Sequence, residues 1–193
     1  MELYAVHLKE LPTEEVVSAL MPLVPKEKTE KLRRFKFKED CCRSLAAELL
    51  IRVILAGKTR LKNREIRFGR NAYGKPHLTD YPLHFNLSHA GHWVVCAIDE
   101  APIGIDIEEI KPIDLTIAKR FFSHVEWMDL EQKPEEDKLG RFYDLWTLKE
   151  SYMKNIGLGL SIPLNQISFT VNGEISDSRM NIPVKSGILN NIL

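Results

Sequence analysis

The 193-residue sequence predicts an α+β fold on three observations. Apolar residues recur at helical spacing in several stretches and alternate in short runs between them, so helices and short antiparallel-type strands interleave. Hydrophobic residues make up 44% of the chain and charged residues 28%, enough to build a core beneath a solvated surface. No low-complexity linker or short-period repeat interrupts the pattern, so one large domain or two small, tightly joined halves are expected.

The elements follow in order. Leu3–Leu8 alternates as a short strand. Thr13 stands where it can cap a helix through Met21, which Pro22 and Pro25 then break. Lys26–Phe35 reads as a charged helix. Asp40–Leu55 reads as a longer amphipathic helix ending at Gly57, with Leu45, Leu49, Ile51, Val53 and Ile54 as core candidates. Short strands are expected at Glu65–Phe68, Leu83–Leu87, Trp93–Ile98 and Ile103–Ile107, punctuated by Gly, Pro and Asn turns. After Pro112 the chain turns mainly helical, over Leu115–Phe122, near Val125–Glu131, and from about Lys138 to Asn155. Gly157 and Gly159 end the last helix, and Gln166–Val171 reads as a strand.

Lysine plus arginine and aspartate plus glutamate both total 27. That balance excludes a whole-chain basic nucleic-acid binder and an acidic disordered tail. No apolar run approaches the roughly 18–20 residues of a membrane span, and the N-terminus MELYAVHLKE lacks the basic and apolar regions of an export signal. Three cysteines, Cys41, Cys42 and Cys96, form no disulfide framework or zinc pattern and read as small fillers. A cytoplasmic protein with no membrane and no nucleic-acid partner is expected. The neutral sum hides a dipolar layout: Lys26–Lys75 carries 16 basic and 6 acidic residues, Asp99–Glu150 14 acidic and 7 basic. Such a chain suits a polyanionic ligand at one end and a cation at the other, although most of these charges are solvated helix faces.

Three segments combine polar chemistry with turn residues. In Gly104-Ile-Asp106-Ile-Glu108 a strand would turn both carboxylates to one face, where they repel unless a cation neutralises them. Oxygen ligands of this kind suit Mg²⁺ together with substrate phosphates, although ordinary edge-strand acids show the same spacing. In the helical stretch Trp146–Lys154, Glu150 and Lys154 share a face, either as a surface ion pair or as a carboxylate ligand or base beside a phosphate contact. In His84–His92 the histidine spacing matches no zinc pattern. The Asn-Leu-Ser88-His89 turn better suits hydroxyl, imidazole and backbone donors aimed at a phosphate. Lys28 and Lys31 stand three apart on one helix face, a spacing compatible with a clamp on a phosphate, although such charge runs are usually only solvated.

Together YGKP, FNLSHAGHWVVCAI, PIGIDIE and LWTLKESYMKNIGLGL, in this order, resemble the 4′-phosphopantetheinyl transferases, specifically the surfactin-synthetase-activating type. The similarity runs from Met1 to about Val171. The resemblance implies two similar α/β halves, 1–100 and 101–193, related by a pseudo-twofold with coenzyme A in the cleft between them. It implies transfer of the phosphopantetheine arm of coenzyme A to a serine of an apo peptidyl or acyl carrier protein, with release of adenosine 3′,5′-bisphosphate. Asp106, Glu108 and Glu150 would hold Mg²⁺ against the pyrophosphate, and Glu150 would help deprotonate the carrier serine. Lys154 would steady the pyrophosphate and the leaving phosphate. Ser88 and His89 would meet the 3′-phosphate, with Lys28, Lys31 and Ser44 nearby, while Tyr73, Gly74, Lys75 and Pro76 would line the adenine. Carrier recognition would involve the region after Gly157, and a monomer is expected.

After Val171 the sequence NGEISDSRMNIPVKSGILNNIL departs from the pattern of such relatives, which continue for longer. A shortened or divergent C-terminus is expected to impair stability and carrier docking without touching the named residues. Two other readings stand beside the transferase: a non-catalytic coenzyme A or carrier-binding relative, and a Mg²⁺-dependent phosphate-ester hydrolase. The second lacks a nucleophilic or water-activating constellation.

Overall fold

The strand expected at the N-terminus forms as β1 (Glu2–His7), the edge of a three-stranded antiparallel sheet of order β1-β5-β4. The computed structural model describes residues 1–169. Its residues divide into two compact units, the first Met1–Glu109 with Lys154–Gly159, the second Ile110–Met153 with the described residues from Leu160 onward.

In the first unit β4 (His84–Ala90) and β5 (Trp93–Asp99) form a hairpin in which Phe85 faces Ile98 and Ser88 faces Val95. β5 adds β1 on its other side, with Tyr4 opposite Cys96. The helix α3 (Lys38–Thr59) lays Ile51, Ile54 and Leu55 on Phe85, Cys96 and Ile98 of this sheet, joined by Ile66 and Leu78. Each such side chain contributes about 1.5–3 kcal/mol on leaving water. Before it, α1 (Glu14–Leu20) is capped by Thr13, whose Oγ1 accepts from the Val16 amide, as the sequence predicts. The helix α2 (Lys26–Leu32) seats Leu32 against Val24 and Leu45.

Several element limits differ from expectation. Helix α2 stops at Leu32 rather than Phe35 because Leu32 is its last residue with a buried partner; Phe35 is 44% exposed. Helix α3 passes through Gly57 and ends at Thr59, with Arg60 as a cap in the left-handed conformation (φ 60°). Val53, a core candidate by pattern, is 71% exposed, because two residues past Ile51 a helix has rotated it to the far side. The strand expected at Glu65–Phe68 is instead a 3₁₀ turn, Asn63–Glu65, followed by β2 (Phe68–Arg70), which pairs with the unforeseen β3 (Pro76–Leu78).

The largest correction concerns Ile103–Ile107, which joins no β-ladder. It is held through side chains of β4: the Ile105 amide donates to Asn86 Oδ1 at 2.9 Å and the Ile107 amide to Ser88 Oγ at 3.4 Å. The two-residue period of β4 thus meets the two-residue period of the segment, and the amides are satisfied without a ladder.

In the second unit a 3₁₀ turn (Leu115–Ile117) leads into α4 (Ala118–Phe121). Next come α5 (His124–Glu131) and α6 (Glu135–Ile156), whose last residues cluster with the first unit. Phe122, Leu130, Phe142, Leu145, Tyr152, Ile167 and Phe169 make the core, with Phe142 stacked on Phe122 (5.4 Å between ring centres) and on Trp146 (5.8 Å). Acids Glu135, Glu136 and Asp137 open α6 and Lys154 lies in its last turn, matching the helix dipole. Ser123 and Glu126 form a reciprocal cap on α5. Gln166 closes a 3₁₀ turn and residues 167–169 join no ladder among the described residues. The rest of the strand expected there, and the divergent tail, lie outside the described residues.

Candidate functional site

The organising contact of the first unit joins three residues from separate segments. Lys154 Nζ donates to Asp106 Oδ1 at 2.6 Å and to Ser88 Oγ at 3.0 Å, and Ser88 Oγ donates to the same Asp106 oxygen at 2.9 Å. The Asp106 side chain is only 4% exposed and that of Lys154 28%. Asp106 reaches this position because Asn86 and Ser88 hold the backbone on either side of it. Its second oxygen, Oδ2, is buried and has no hydrogen-bond partner among the described residues. A buried carboxylate oxygen without a donor is costly, and an oxygen-seeking cation would satisfy it.

The other predicted acids are placed as follows. Glu108 is exposed two residues on from Asp106. Glu150 lies on α6 one turn before Lys154, among the residues of the second unit. Among the described residues no three His, Cys, Asp or Glu side chains gather closely enough to hold a metal ion. The fit to Mg²⁺ in the structure therefore rests on Asp106 Oδ2, an oxygen donor of the type Mg²⁺ prefers.

A second polar cluster in the same unit gathers around Lys28. Lys28 on α2 reaches α3, where its Nζ donates to Ser44 Oγ at 3.1 Å and approaches Glu48 Oε2 at 3.8 Å. Burial pushes the Lys28 ammonium below the usual lysine range; Glu48 opposes the shift, and the charges of Arg70 and Lys31 add to it. An arriving phosphate would relieve that repulsion, with Lys31 exposed one turn-edge away. Arg70 was missed by sequence reasoning; the β2–β3 hairpin, whose short strands gave little pattern, brings it there.

That hairpin carries Tyr73–Pro76. Asn71 Oδ1 accepts from the amides of Tyr73 and Lys75, both at 2.9 Å, and Gly74 takes φ +89°, which leaves the Tyr73 ring 55% exposed at the tip. Lys75 turns inward instead, donating to the carbonyls of Asn155 (2.7 Å) and Ile103 (3.1 Å), and burial lowers its pKa. Asn71 Nδ2 donates to the Gly157 carbonyl at 2.8 Å. Gly157, just past α6, adopts φ +73°, and a Cβ there would lie 2.6 Å from Lys75 Cδ. Gly157→Ala is therefore expected to cost about 1–2 kcal/mol from the left-handed backbone, with further loss as Lys75 is displaced. Thermal melting checks this, and an unchanged midpoint would contradict it.

His89 is exposed at the end of β4 and, being adjacent to Ser88 in a strand, projects to the opposite face. Partial burial lowers its pKa and the charges of Arg43 and Lys154 lower it further, opposed by a backbone hydrogen bond and by Asp40. Arg43 is itself fixed by Asp40 at 2.5 Å and the Gly91 carbonyl at 2.9 Å.

Sequence reasoning also missed Lys149. Its side chain is fully buried, 2.7 Å from the equally buried Glu126, and donates to the carbonyls of Leu164 (2.8 Å) and Ile167 (2.6 Å). Glu126 in turn accepts from the amides of Ser123 (2.7 Å) and Phe169 (2.9 Å). Burial lowers the Lys149 pKa, and Glu126 pulls it back up. The available signal was its place on the buried stripe of α6 with Phe142, Leu145, Tyr152 and Met153.

A carboxylate held beside the sheet and tied to a lysine, with its second oxygen unpartnered among the described residues, and a lysine–hydroxyl cluster are two polar centres of the first unit. Comparison with known proteins gives the family. Residues 11–101 match the model of the 4′-phosphopantetheinyl transferase N-terminal domain and residues 102–182 that of the 4′-phosphopantetheinyl transferase superfamily. The chain is 44% identical to the 4′-phosphopantetheinyl transferase Sfp of Bacillus subtilis (strain 168) over 179 residues, 91% of this chain and 80% of the relative. It is 45% identical to the 4′-phosphopantetheinyl transferase gsp of Aneurinibacillus migulanus over 150 residues, 78% of this chain and 63% of that one. The human L-aminoadipate-semialdehyde dehydrogenase-phosphopantetheinyl transferase is 36% identical over 170 residues, 80% of this chain and 55% of its own. The chain belongs to the 4′-phosphopantetheinyl transferase superfamily, in agreement with the resemblance read from its motifs.

Proposed function

We propose that this chain transfers the 4′-phosphopantetheine arm of coenzyme A to a serine of apo carrier proteins, with peptidyl carriers the favoured class. The observation that carries the reading at the level of residues is Asp106, clamped through one oxygen and unsatisfied at the other. Asp106, with Glu108 and Glu150, is the proposed holder of Mg²⁺, which when bound neutralises pyrophosphate charge and polarises the phosphorus. Ser88 and His89, with Lys28, Lys31 and Ser44 nearby, hold the 3′-phosphate end of coenzyme A, and Tyr73–Pro76 line its adenine. Glu150 takes the proton of the carrier serine. The serine oxygen then bonds to the phosphorus that carries pantetheine, and the pyrophosphate P–O bond breaks. The electron pair leaves with adenosine 3′,5′-bisphosphate, whose new charge Lys154 steadies. Such a reaction asks the protein chiefly for positioning and charge neutralisation.

The finer features belong to the same proposal: 1–100 and 101–193 as two like halves with coenzyme A between them, carrier docking after Gly157, a monomer, and action in the cytoplasm. Among the described residues no helix is long and apolar enough to cross a membrane. Chromatography of the reaction tests the proposal: adenosine 3′,5′-bisphosphate should appear in a one-to-one ratio with modified carrier. Its release without carrier would favour hydrolysis instead.

The lowered pKa of His89 favours the neutral imidazole in the free protein. A phosphate beside it favours the charged form and raises that pKa, so binding takes up a proton in the window between the two values. Coenzyme A affinity should therefore gain from His89 as pH falls through the region of its ordinary value, about 6.5. Calorimetry in buffers of different ionisation heat should show proton uptake near that pH that His89→Gln reduces. Equal uptake in the variant would remove His89 from the phosphate.

A further inference from the structure

We infer that Glu48 is a positioning residue that acts through Lys28, holding its ammonium group charged and in place for the 3′-phosphate of coenzyme A. The inference rests on the transferase reading above, in which Lys28 lies near that phosphate. Ser44, Glu48 and Arg52 follow one another at four-residue spacing, so they form one stripe along α3. The stripe is tied down at its far end. Arg52, 5% exposed, donates through Nη1 to the carbonyls of Asn63 (3.2 Å) and Ile66 (3.3 Å), and its guanidinium lies over the Phe68 ring of β2, 5.1 Å from the ring centre. Its Nε donates to Glu48 Oε1 at 2.7 Å. The other oxygen, Oε2, stands 3.8 Å from Lys28 Nζ, while Ser44 Oγ accepts from that ammonium at 3.1 Å. Glu48 is thus a fixed carboxylate: its side chain is 14% exposed, and a buried arginine sets its direction.

The charges around Lys28 give that carboxylate its use. Lys31 faces the ammonium from α2 itself and Arg70 from β2, while α3 presents the neutral Ser44 and Glu48, with Arg52 behind. Burial and the two nearer cations favour loss of the Lys28 proton, and Glu48 opposes them. A carboxylate beside a phosphate site also repels the phosphate. Here that repulsion is reduced, because Arg52 compensates the Glu48 charge at 2.7 Å. Without Glu48, Lys28 would face Arg70, Lys31 and Arg52 with no counter-charge. The balance then depends on pH. Well below the Lys28 pKa of the free protein the ammonium is charged with or without Glu48. As pH rises through that pKa the phosphate loses a charged partner, and Glu48 keeps this loss at higher pH. An opposite charge at such a distance commonly moves a pKa by about 1–3 units.

The experiment measures, by calorimetry, the affinity of the full chain for coenzyme A and for 3′-dephospho-coenzyme A from about pH 7 to about pH 10, near the ordinary lysine value. Wild type, Glu48→Gln, Lys28→Met and the double variant are compared. The ratio of the two affinities isolates the 3′-phosphate and cancels ionisation of the thiol that both compounds share. In wild type the ratio should favour coenzyme A and fall as pH rises through the Lys28 pKa. In Glu48→Gln, whose amide oxygen still accepts from Arg52, that fall should come about one pH unit lower. Within the window between, the preference for coenzyme A should drop by up to about tenfold. Once Lys28 is replaced by Met, Glu48→Gln should no longer move the alkaline limb. The carbon-13 resonance of the Lys28 side chain in the free protein should report the same downward shift of its pKa. If Glu48→Gln melts early, Glu48→Asp, which draws the charge back by one methylene, should show the shift to a smaller degree. Tighter coenzyme A binding at every pH with the limb unmoved would make Glu48 a repulsive group only and overturn the inference. Equal weakening toward both co-substrates would overturn it as well, since that is what lost folding alone produces. A wild type that binds both compounds equally would take Lys28 away from the phosphate, and the inference with it. A wild type that prefers coenzyme A yet makes no holo-carrier would sink the transferase reading alone.

Discussion

Asp106→Ala should leave a folded protein that no longer modifies carrier proteins, with the transfer rate down by about three orders of magnitude. The loss is large because the metal contributes several kcal/mol of charge stabilisation, and each 1.36 kcal/mol is tenfold in rate. The fold should survive, because Asp106 belongs to no ladder and Lys154, 28% exposed, can turn its ammonium to water. Asn86 still holds the Ile105 amide. Measured turnover with normal circular dichroism and a near-normal melting point is the expected pattern. A variant retaining more than a tenth of wild-type rate at saturating Mg²⁺ would take Asp106 out of the metal site.

Lys149→Met should produce the largest loss of stability in the chain. Removing one partner of a buried ion pair leaves an uncompensated charge, which costs about 3–5 kcal/mol, and Glu126 is 1% exposed. The carbonyls of Leu164 and Ile167 lose their donor as well. Glu126→Gln combined with Lys149→Met should be milder than the sum of the single changes, because no buried charge then remains. Denaturant melts of the four proteins check this, and strictly additive losses would contradict it. The pair joins α5, α6 and the segment 164–169 around one charge, so hydrogen exchange in that segment should accelerate in Lys149→Met.

Much of this was legible in the sequence, and the failures have physical causes. Thr13, the β4–β5 hairpin and the long α6 were readable because capping and periodicity are local. Gly57 misled because a glycine near a helix end is a permission rather than a stop; Arg60 accepted the left-handed position instead. Ile103–Ile107 has the alternation of a strand, yet its amides are met by Asn86 and Ser88, side chains some twenty residues away that no local pattern reveals. At the site, residue types and spacing were enough to single out Asp106, Ser88 and Lys154, and the structure brings those three together. What spacing could not say is that the Ser88 proton is spent on Asp106, because that depends on a tertiary contact. Lys28 with Ser44 was expected; Arg70 beside them was not, since only the hairpin of β2 and β3 delivers it. Lys149 was hidden by its neighbour Glu150: it reads as a surface charge unless its place on the buried stripe is counted.

The most direct measurement is the intact mass of an apo peptidyl carrier protein after incubation with this chain, coenzyme A and Mg²⁺. The account predicts a gain of one phosphopantetheine on a single serine, abolished by chelating the metal and by Asp106→Ala. An unchanged carrier mass, with coenzyme A bound or cleaved all the same, would contradict it.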